Sequence, residues 1–278
     1  MPVTNIDLPI GVFDSGFGGL TVLRSLVEQL PNEDFIYLGD TARAPYGPRS
    51  IAEVRRFALE GLDHLHQRGV KALVIACNSA SSAVLRDARE RYDVPITEVV
   101  LPAASRAVAA TRNGRVGVIA TQSTVNSRSY EDAFAIAPDI TLTPQACPRF
   151  VEFVEAGITG GDELLGVAEE YLEPIKKAHV DTLILGCTHY PLLQGMIGYV
   201  LGTGVTLVSS AETCAQSTYS QLTQAGLLHH EPREATRTFL TTGDARDFQG
   251  IGRRLLGGFV TDATTVVLDP GNDTLNRR

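Results

Sequence analysis

The stretches Ala72–Ser81, ALVIACNSAS, and Thr182–Pro191, TLILGCTHYP, decide the fold. Each is a short apolar run that ends on a cysteine followed by small polar residues, and the two cysteines, Cys77 and Cys187, stand 110 positions apart. A second pair, IGVFDS (Ile10–Ser15) and VGVIAT (Val116–Thr121), recurs at nearly the same spacing, 106 positions. One chance match of apolar runs would mean little. Two matches at almost one offset, with a cysteine at the same place, read as a duplicated strand-and-turn unit.

The runs IGVF (Ile10–Phe13), FIYL (Phe35–Leu38), ALVIA (Ala72–Ala76), VGVIA (Val116–Ala120), TLIL (Thr182–Leu185) and VTLV (Val205–Val208) are continuously apolar. That pattern belongs to strands covered on both faces, as in a parallel sheet under helices. Helical stripes lie between them: Leu20, Leu23, Leu26, Val27 and Leu30 before Pro31, and Ile51, Val54, Ala58, Leu62 and Leu65. Alternating strands and helices make the fold α/β, and in such sheets ligands sit at the carboxyl ends of the strands.

The chain of 278 residues suits two modest domains or one large one. Its 44% hydrophobic and 20% charged residues are ordinary globular usage. A net charge of −8 repels phosphate backbones, so nucleic acid is excluded as an expected partner. No apolar run approaches the ~20 residues of a membrane span, and Met1–Pro9 carries no export signal, so the expected location is cytoplasmic. There the four cysteines are expected as reduced thiols.

A thiol at a helix N-terminus is expected to have a lowered pKa, and the exposed N–H groups there hold carboxylates. Asn78, Ser79, Ser81 and Ser82 are placed to cap a helix after Cys77. Thr188, His189 and Pro191 open one after Cys187. If the repeats face each other, two thiols flank one small anionic ligand. Against this stand inert buried cysteines, a disulfide, and a zinc site of Cys77, Cys187 and His189 that lacks paired C-x-x-C spacing. Cys147 and Cys214, without repeat partners, are expected to be structural.

Other polar residues have two readings each. Asp14 caps the next helix, or orients or deprotonates Cys77. The run after it, DSGFGG, fails as a dinucleotide fingerprint because Thr21 stands at the third glycine position. The loop GDTARAPYGPRS (Gly39–Ser50) is a turn before the Ile51 helix with Ser50 as the helix cap, or a pocket wall bringing Tyr46 and Gly47 to a ligand. His189 is a capping or core histidine, or exchanges a proton with Cys187. Glu155 lies on a short helical stretch with Phe150, Phe153 and Val154.

Five ordered segments, GVFDSGFGGLTV, GDTARAPYGPRS, ACNSAS, ACPRFVEFVEAG and GCTHYPLL, resemble the cofactor-independent aspartate/glutamate racemases, glutamate racemase in particular, from about Ile10 to Ser210. The resemblance implies a two-base racemisation of L- and D-glutamate with no cofactor and no metal. Cys77 would act on D-glutamate with Asp14 assisting, and Cys187 on L-glutamate with His189 assisting; Glu155 would be a further acid near Cys187. Asp14, Ser15, Tyr46, Gly47, Asn78, Ser79, Thr121, Thr188 and His189 match substrate-contacting positions. Ser79 stands where the family often has threonine and keeps the hydroxyl. His189 stands where aspartate-specific relatives usually carry an acid, which favours glutamate. The resemblance also implies a homodimer and D-glutamate supply for peptidoglycan, and so for cell shape.

The expected architecture is two pseudo-symmetric α/β domains, each a mostly parallel sheet flanked by helices, with the active site in the cleft between them. Residues 1–100 and 211–278 form the Cys77 side and 101–210 the Cys187 side. The rival readings are a racemase for another acidic amino acid, a two-lobed module that binds an anion without turning it over, and a thiol or zinc redox sensor.

Overall fold

All six apolar runs become strands. A computed structural model describes residues 6–268. It opens with β1 (Ile10–Asp14), α1 (Leu20–Gln29), β2 (Phe35–Gly39), α2 (Ile51–Gln67), β3 (Ala72–Ile75), α3 (Asn78–Arg91) and β4 (Ile96–Glu98). The chain then crosses through α4 (Val100–Ala110) to β5 (Arg115–Ala120), α5 (Gln122–Ser127), α6 (Ser129–Phe134), β6 (Thr141–Ala146), α7 (Arg149–Glu155), α8 (Asp162–Lys177) and β7 (Thr182–Gly186). A 3-10 turn (Tyr190–Leu193), α9 (Gln194–Leu201) and β8 (Thr206–Ser209) follow. The chain returns through α10 (Ser210–Ala225) to β9 (Arg237–Thr241), α11 (Ala245–Leu256) and β10 (Thr264–Thr265).

The strands form two sheets, ordered β10-β9-β2-β1-β3-β4 and β6-β5-β7-β8, with every pairing parallel. The block β2-β1-β3-β4 has the same order as β6-β5-β7-β8, so the strands ending at Cys77 and Cys187 occupy equivalent places in the two sheets. The first sheet and its edge use residues 10–98 and 237–265, the second 115–209. Residues 1–5 and 269–278, the outer parts of the expected first domain and of the segment read for an export signal, lie outside the described residues.

The side-chain period of two divides each first-sheet strand between two cores. Val12, Tyr37 and Val74 face α1 and α10, while Phe13, Leu38, Leu73 and Ile75 face α2 and α3. The second sheet is likewise covered on both sides. The helices α4 and α10, the two crossings, pack on each other. Helix α2 starts with a capping box, Ser50 accepting from the Glu53 N–H and Glu53 reaching back to the Ser50 N–H. Four strands went unread. β4 has three residues and β10 two, too few for a pattern. β6 is a partly buried edge strand that carries Pro144, and β9 mixes exposed with buried residues. Among the described residues no helix is long and apolar enough to cross a membrane.

Candidate active site

The carboxyl ends of β1, β3, β5 and β7 converge on one cavity of about 230 Å³. That is room for one small ligand and below the ~300–1,000 Å³ of drug-sized sites. Ser15, Tyr46, Gly47, Cys77, Asn78, Ser79, Thr121, Glu155, Cys187, Thr188 and His189 all line it. Asp14 does not; it is fully buried one layer behind. Sulfur thus reaches one space from both sheets. All four cysteines are free thiols, and among the described residues no group of three or more His, Cys, Asp and Glu is placed to hold a metal ion. Cys147 and Cys214 are fully buried, away from the cavity lining.

On the first-sheet side, β3 delivers Cys77 to the start of α3. The helix begins at Asn78, so the expected cap residues lie inside it and the cysteine is itself the cap, its sulfur accepting from the Ala80 N–H at 3.4 Å. The thiol donates to Ser15 Oγ at 3.4 Å. Position at a helix N-terminus does not lower this thiol as expected. Burial dominates, with the negative charges of Asp14 and Cys187 adding to it, and pushes Cys77 up to about 12. Asp14 also sits at the start of α1, its carboxyl lying against the N-cap Gly19, whose backbone N–H favours the charged form. It accepts the Gly16 N–H at 2.9 Å and the Tyr37 hydroxyl at 3.4 Å, but burial outweighs these bonds and raises it above the usual carboxylate value.

On the second-sheet side, β7 delivers Cys187, Thr188 and His189 into the 3-10 turn. His189 Nδ1 is 3.7 Å from Cys187 Sγ and its Nε2 is 3.2 Å from Glu155 Oε1 on α7. Burial works against the imidazolium, but Cys187 and Glu155 outweigh it and raise His189 to about 10. A cationic imidazolium at neutral pH therefore stands beside the Cys187 sulfur.

Residues from both sheets also meet in a hydroxyl cluster: Ser79 Oγ lies 3.0 Å from Thr121 Oγ1 and 3.2 Å from Thr124 Oγ1. The Asn78 side-chain oxygen accepts from the Tyr130 hydroxyl at 2.8 Å, which leaves its buried Nδ2 without a partner on a residue that lines the cavity. Such a donor is set to meet a ligand oxygen. Tyr46 forms wall rather than handle, because its hydroxyl is taken by Asp40 and its ring packs on Phe57. The Gly47 carbonyl accepts from the Ser123 N–H at 2.9 Å, tying the loop after β2 to α5.

Sequence reasoning missed Thr21, Tyr130 and Thr124. Thr21, which spoils the dinucleotide pattern, donates to the carbonyls of Gly18 and Thr188 and joins the β1 turn to the Cys187 turn. Gly18 allows that approach, since a Cβ there would fall 2.2 Å from Thr188 Oγ1. The sequence marks none of these long-range partners, because they are 45 to 167 positions away from what they hold.

A family model described as Asp/Glu/Hydantoin racemase matches residues 10–218. A glutamate racemase of Parafrankia sp. (strain EAN1pec) is 64% identical over 255 residues, 91% of this chain and 92% of that protein. The crystal structure of glutamate racemase from Thermus thermophilus in complex with β-chloro-D-alanine is similar with a TM-score of 0.88 at 46% identity, covering 96% of this chain and 100% of that one. That of glutamate racemase from Francisella tularensis in complex with D-glutamate gives 0.89 at 34% identity, with 96% and 100% covered.

Proposed function

This chain belongs to the Asp/Glu/hydantoin racemase family, and on that premise we propose that it interconverts L- and D-glutamate by moving the α-proton between Cys187 and Cys77. It is an amino-acid racemase, an isomerase that works without pyridoxal phosphate. The observation that carries the finer reading is the shared cavity: one thiol from each sheet, at equivalent strand ends, on a single small site.

With L-glutamate bound, the Cys187 thiolate, beside the His189 imidazolium, takes the α-proton. The Cys77 thiol, kept protonated by burial, gives its proton to the opposite face of the planar carbanion. Cys187 ends as a thiol and Cys77 as a thiolate. The reverse reaction starts from that state, and the mutual repulsion of the two sulfurs keeps one proton on the pair. Asn78 Nδ2 and the hydroxyls of Ser79, Thr121 and Thr188 receive the substrate carboxylates and stabilise charge as it develops. The D-glutamate complex of the Francisella relative supports the substrate.

The family resemblance extends the reading to supply of D-glutamate for peptidoglycan precursors in the cytoplasm by a homodimer. The test is kinetic. Cys77→Ser and Cys187→Ser are each expected to lower racemisation of glutamate about 10²–10⁴-fold while the melting profile is kept. Wild-type rates in both variants, or faster turnover of aspartate than of glutamate by the native enzyme, would overturn it.

A further inference from the structure

On the Cys187 side Glu155 holds His189, and it is the last residue of α7, a seven-residue helix closed by the Gly157 N–H on the Val154 carbonyl and the Ile158 N–H on the Phe153 carbonyl. Two independent features join that point to α11, a helix that packs on the other sheet. Arg254 donates from its guanidinium to the backbone carbonyl of Glu155. Gly157, two residues on and at φ +77°, lies against the same side chain: a Cβ there would meet Arg254 Cδ and Nε at 3.2 Å.

Helix α11 is anchored at both ends. Phe248 stacks on Phe17 at 5.5 Å and lies tilted against Tyr37 at 6.0 Å. Gly252 packs on Val260 and Leu20. Leu255, next to Arg254, joins the apolar core of the second sheet. The helix thus spans from one thiol's half of the molecule to the other's. Arg254 ends it with a cation at the carboxyl end of α7, where a positive charge is favoured. Among the described residues no carboxylate lies within ion-pair reach of Arg254, so the carbonyl is its anchor.

We propose that Arg254 is a positioning residue for racemisation: by holding the Glu155 carbonyl it fixes the Glu155 carboxylate against His189, and so couples the seating of α11 to proton transfer at Cys187. The inference rests on the assignment of Cys187, His189 and Glu155 to one proton-transfer side. Loss of the guanidinium releases the Glu155 carbonyl, so that α7 keeps its closing bonds but loses the hold on its last residue. Glu155 then spends less time on His189 Nε2, and the imidazolium loses one of its two stabilising partners.

The groups that act on His189 are Cys187 on its own turn, Glu155 from α7 and Asp14 from the β1 turn, while Glu152 on α7 and Cys77 before α3 line the same cavity. Of these only Glu155 is the residue whose own carbonyl Arg254 holds. The alkaline limb of kcat/KM, which follows loss of the His189 proton, therefore moves to lower pH in Arg254→Ala, by about 0.5–1 unit. In the same variant kcat falls about three- to tenfold while KM changes less, because misplacement far from the substrate acts on the reacting geometry.

The experiment compares Arg254→Ala, Arg254→Lys, Glu155→Gln and the double variant Glu155→Gln/Arg254→Ala, with full pH profiles for L-glutamate and the thermal midpoint of each. Arg254→Lys is expected to restore part of the rate and of the limb. Glu155→Gln is expected to move the limb in the same direction, and the double variant to match Glu155→Gln alone. A limb at the native pH in Arg254→Ala with a moved limb in Glu155→Gln would overturn the latch. So would equal added shifts in the double variant, or rate loss that follows thermal midpoint alone. An unmoved limb in Glu155→Gln would instead remove the role of Glu155 on which the inference stands.

Discussion

The two thiols occupy equivalent places in repeated sheets, yet their surroundings differ. Cys77 is held by neutral partners, the Ser15 hydroxyl and the Ala80 N–H, with the raised and buried Asp14 carboxyl behind. Cys187 faces a histidine that is itself held by a glutamate. One side therefore favours the thiol and the other places a cation beside sulfur. Racemisation requires an acid and a base on opposite faces; in the proposed two-base reading the repeated strand ends supply the pair, and their different partners make the two sulfurs unlike. The feet of the same two strands differ too. Lys71 precedes β3, buried against Glu33 at 2.5 Å. Asp181 precedes β7 at the equivalent position and accepts from Thr111 and from the Arg112 and Asn113 N–H groups, each at 2.7 Å.

The sharpest way to break the comparison of the two sides is His189→Asn. We expect kcat/KM to fall about 10²–10³-fold. The fall must be equal in both directions, because enantiomers in water have an equilibrium constant of one. The asymmetry appears in the isotope effect, which grows for L-[2-²H]glutamate and shrinks for the D isomer. Asp14→Asn mirrors it at smaller size. A loss of about 10–100-fold is expected, with the larger isotope effect now on D-[2-²H]glutamate, since Asp14 acts from behind the cavity wall. The same isotope pattern in both variants would erase the distinction between the two sides.

Stability tests sharpen the contrast at the strand feet. Lys71→Met strands the Glu33 carboxylate in a buried place and is expected to cost about 3–5 kcal/mol by urea unfolding. Asp181→Asn weakens bonds to two N–H groups and two hydroxyls, those of Thr111 and Thr182, and is expected to cost about 1–3 kcal/mol at pH 7. The Asp181 carboxyl is lowered to about 2 from its ordinary 3.8, by those hydrogen bonds acting against its desolvation. Its contribution is whole above the unfolded value and is lost as pH falls through 4 towards 2. The gap between native protein and Asp181→Asn should close over that range and stay open at higher pH.

Much of this arrangement is legible in the chain itself. Parallel strands buried on both faces, such as TLILG, are written as unbroken apolar runs, and a cysteine at the end of two of them marks the site. What was not legible depends on neighbours in space. Position at a helix N-terminus suggested a lowered Cys77 thiol, but the burial that reverses this is a property of the closed cavity. Glu155 reads as an ordinary surface acid until α7 turns it onto His189. Thr21 and Tyr130 act on backbone and amide groups 167 and 52 positions away. β9 and β10 add to the sheet edge with too little apolar pattern to stand out.

The claim that one carbon is served by two sulfurs is tested most directly by early-time racemisation of unlabelled L-glutamate in deuterated water, followed by mass and chiral analysis. Two bases predict that D-glutamate formed in the first few per cent of reaction carries deuterium, while the remaining L-glutamate carries none. Product that keeps the substrate's own proton, or label that appears equally in both enantiomers from the start, would contradict the account.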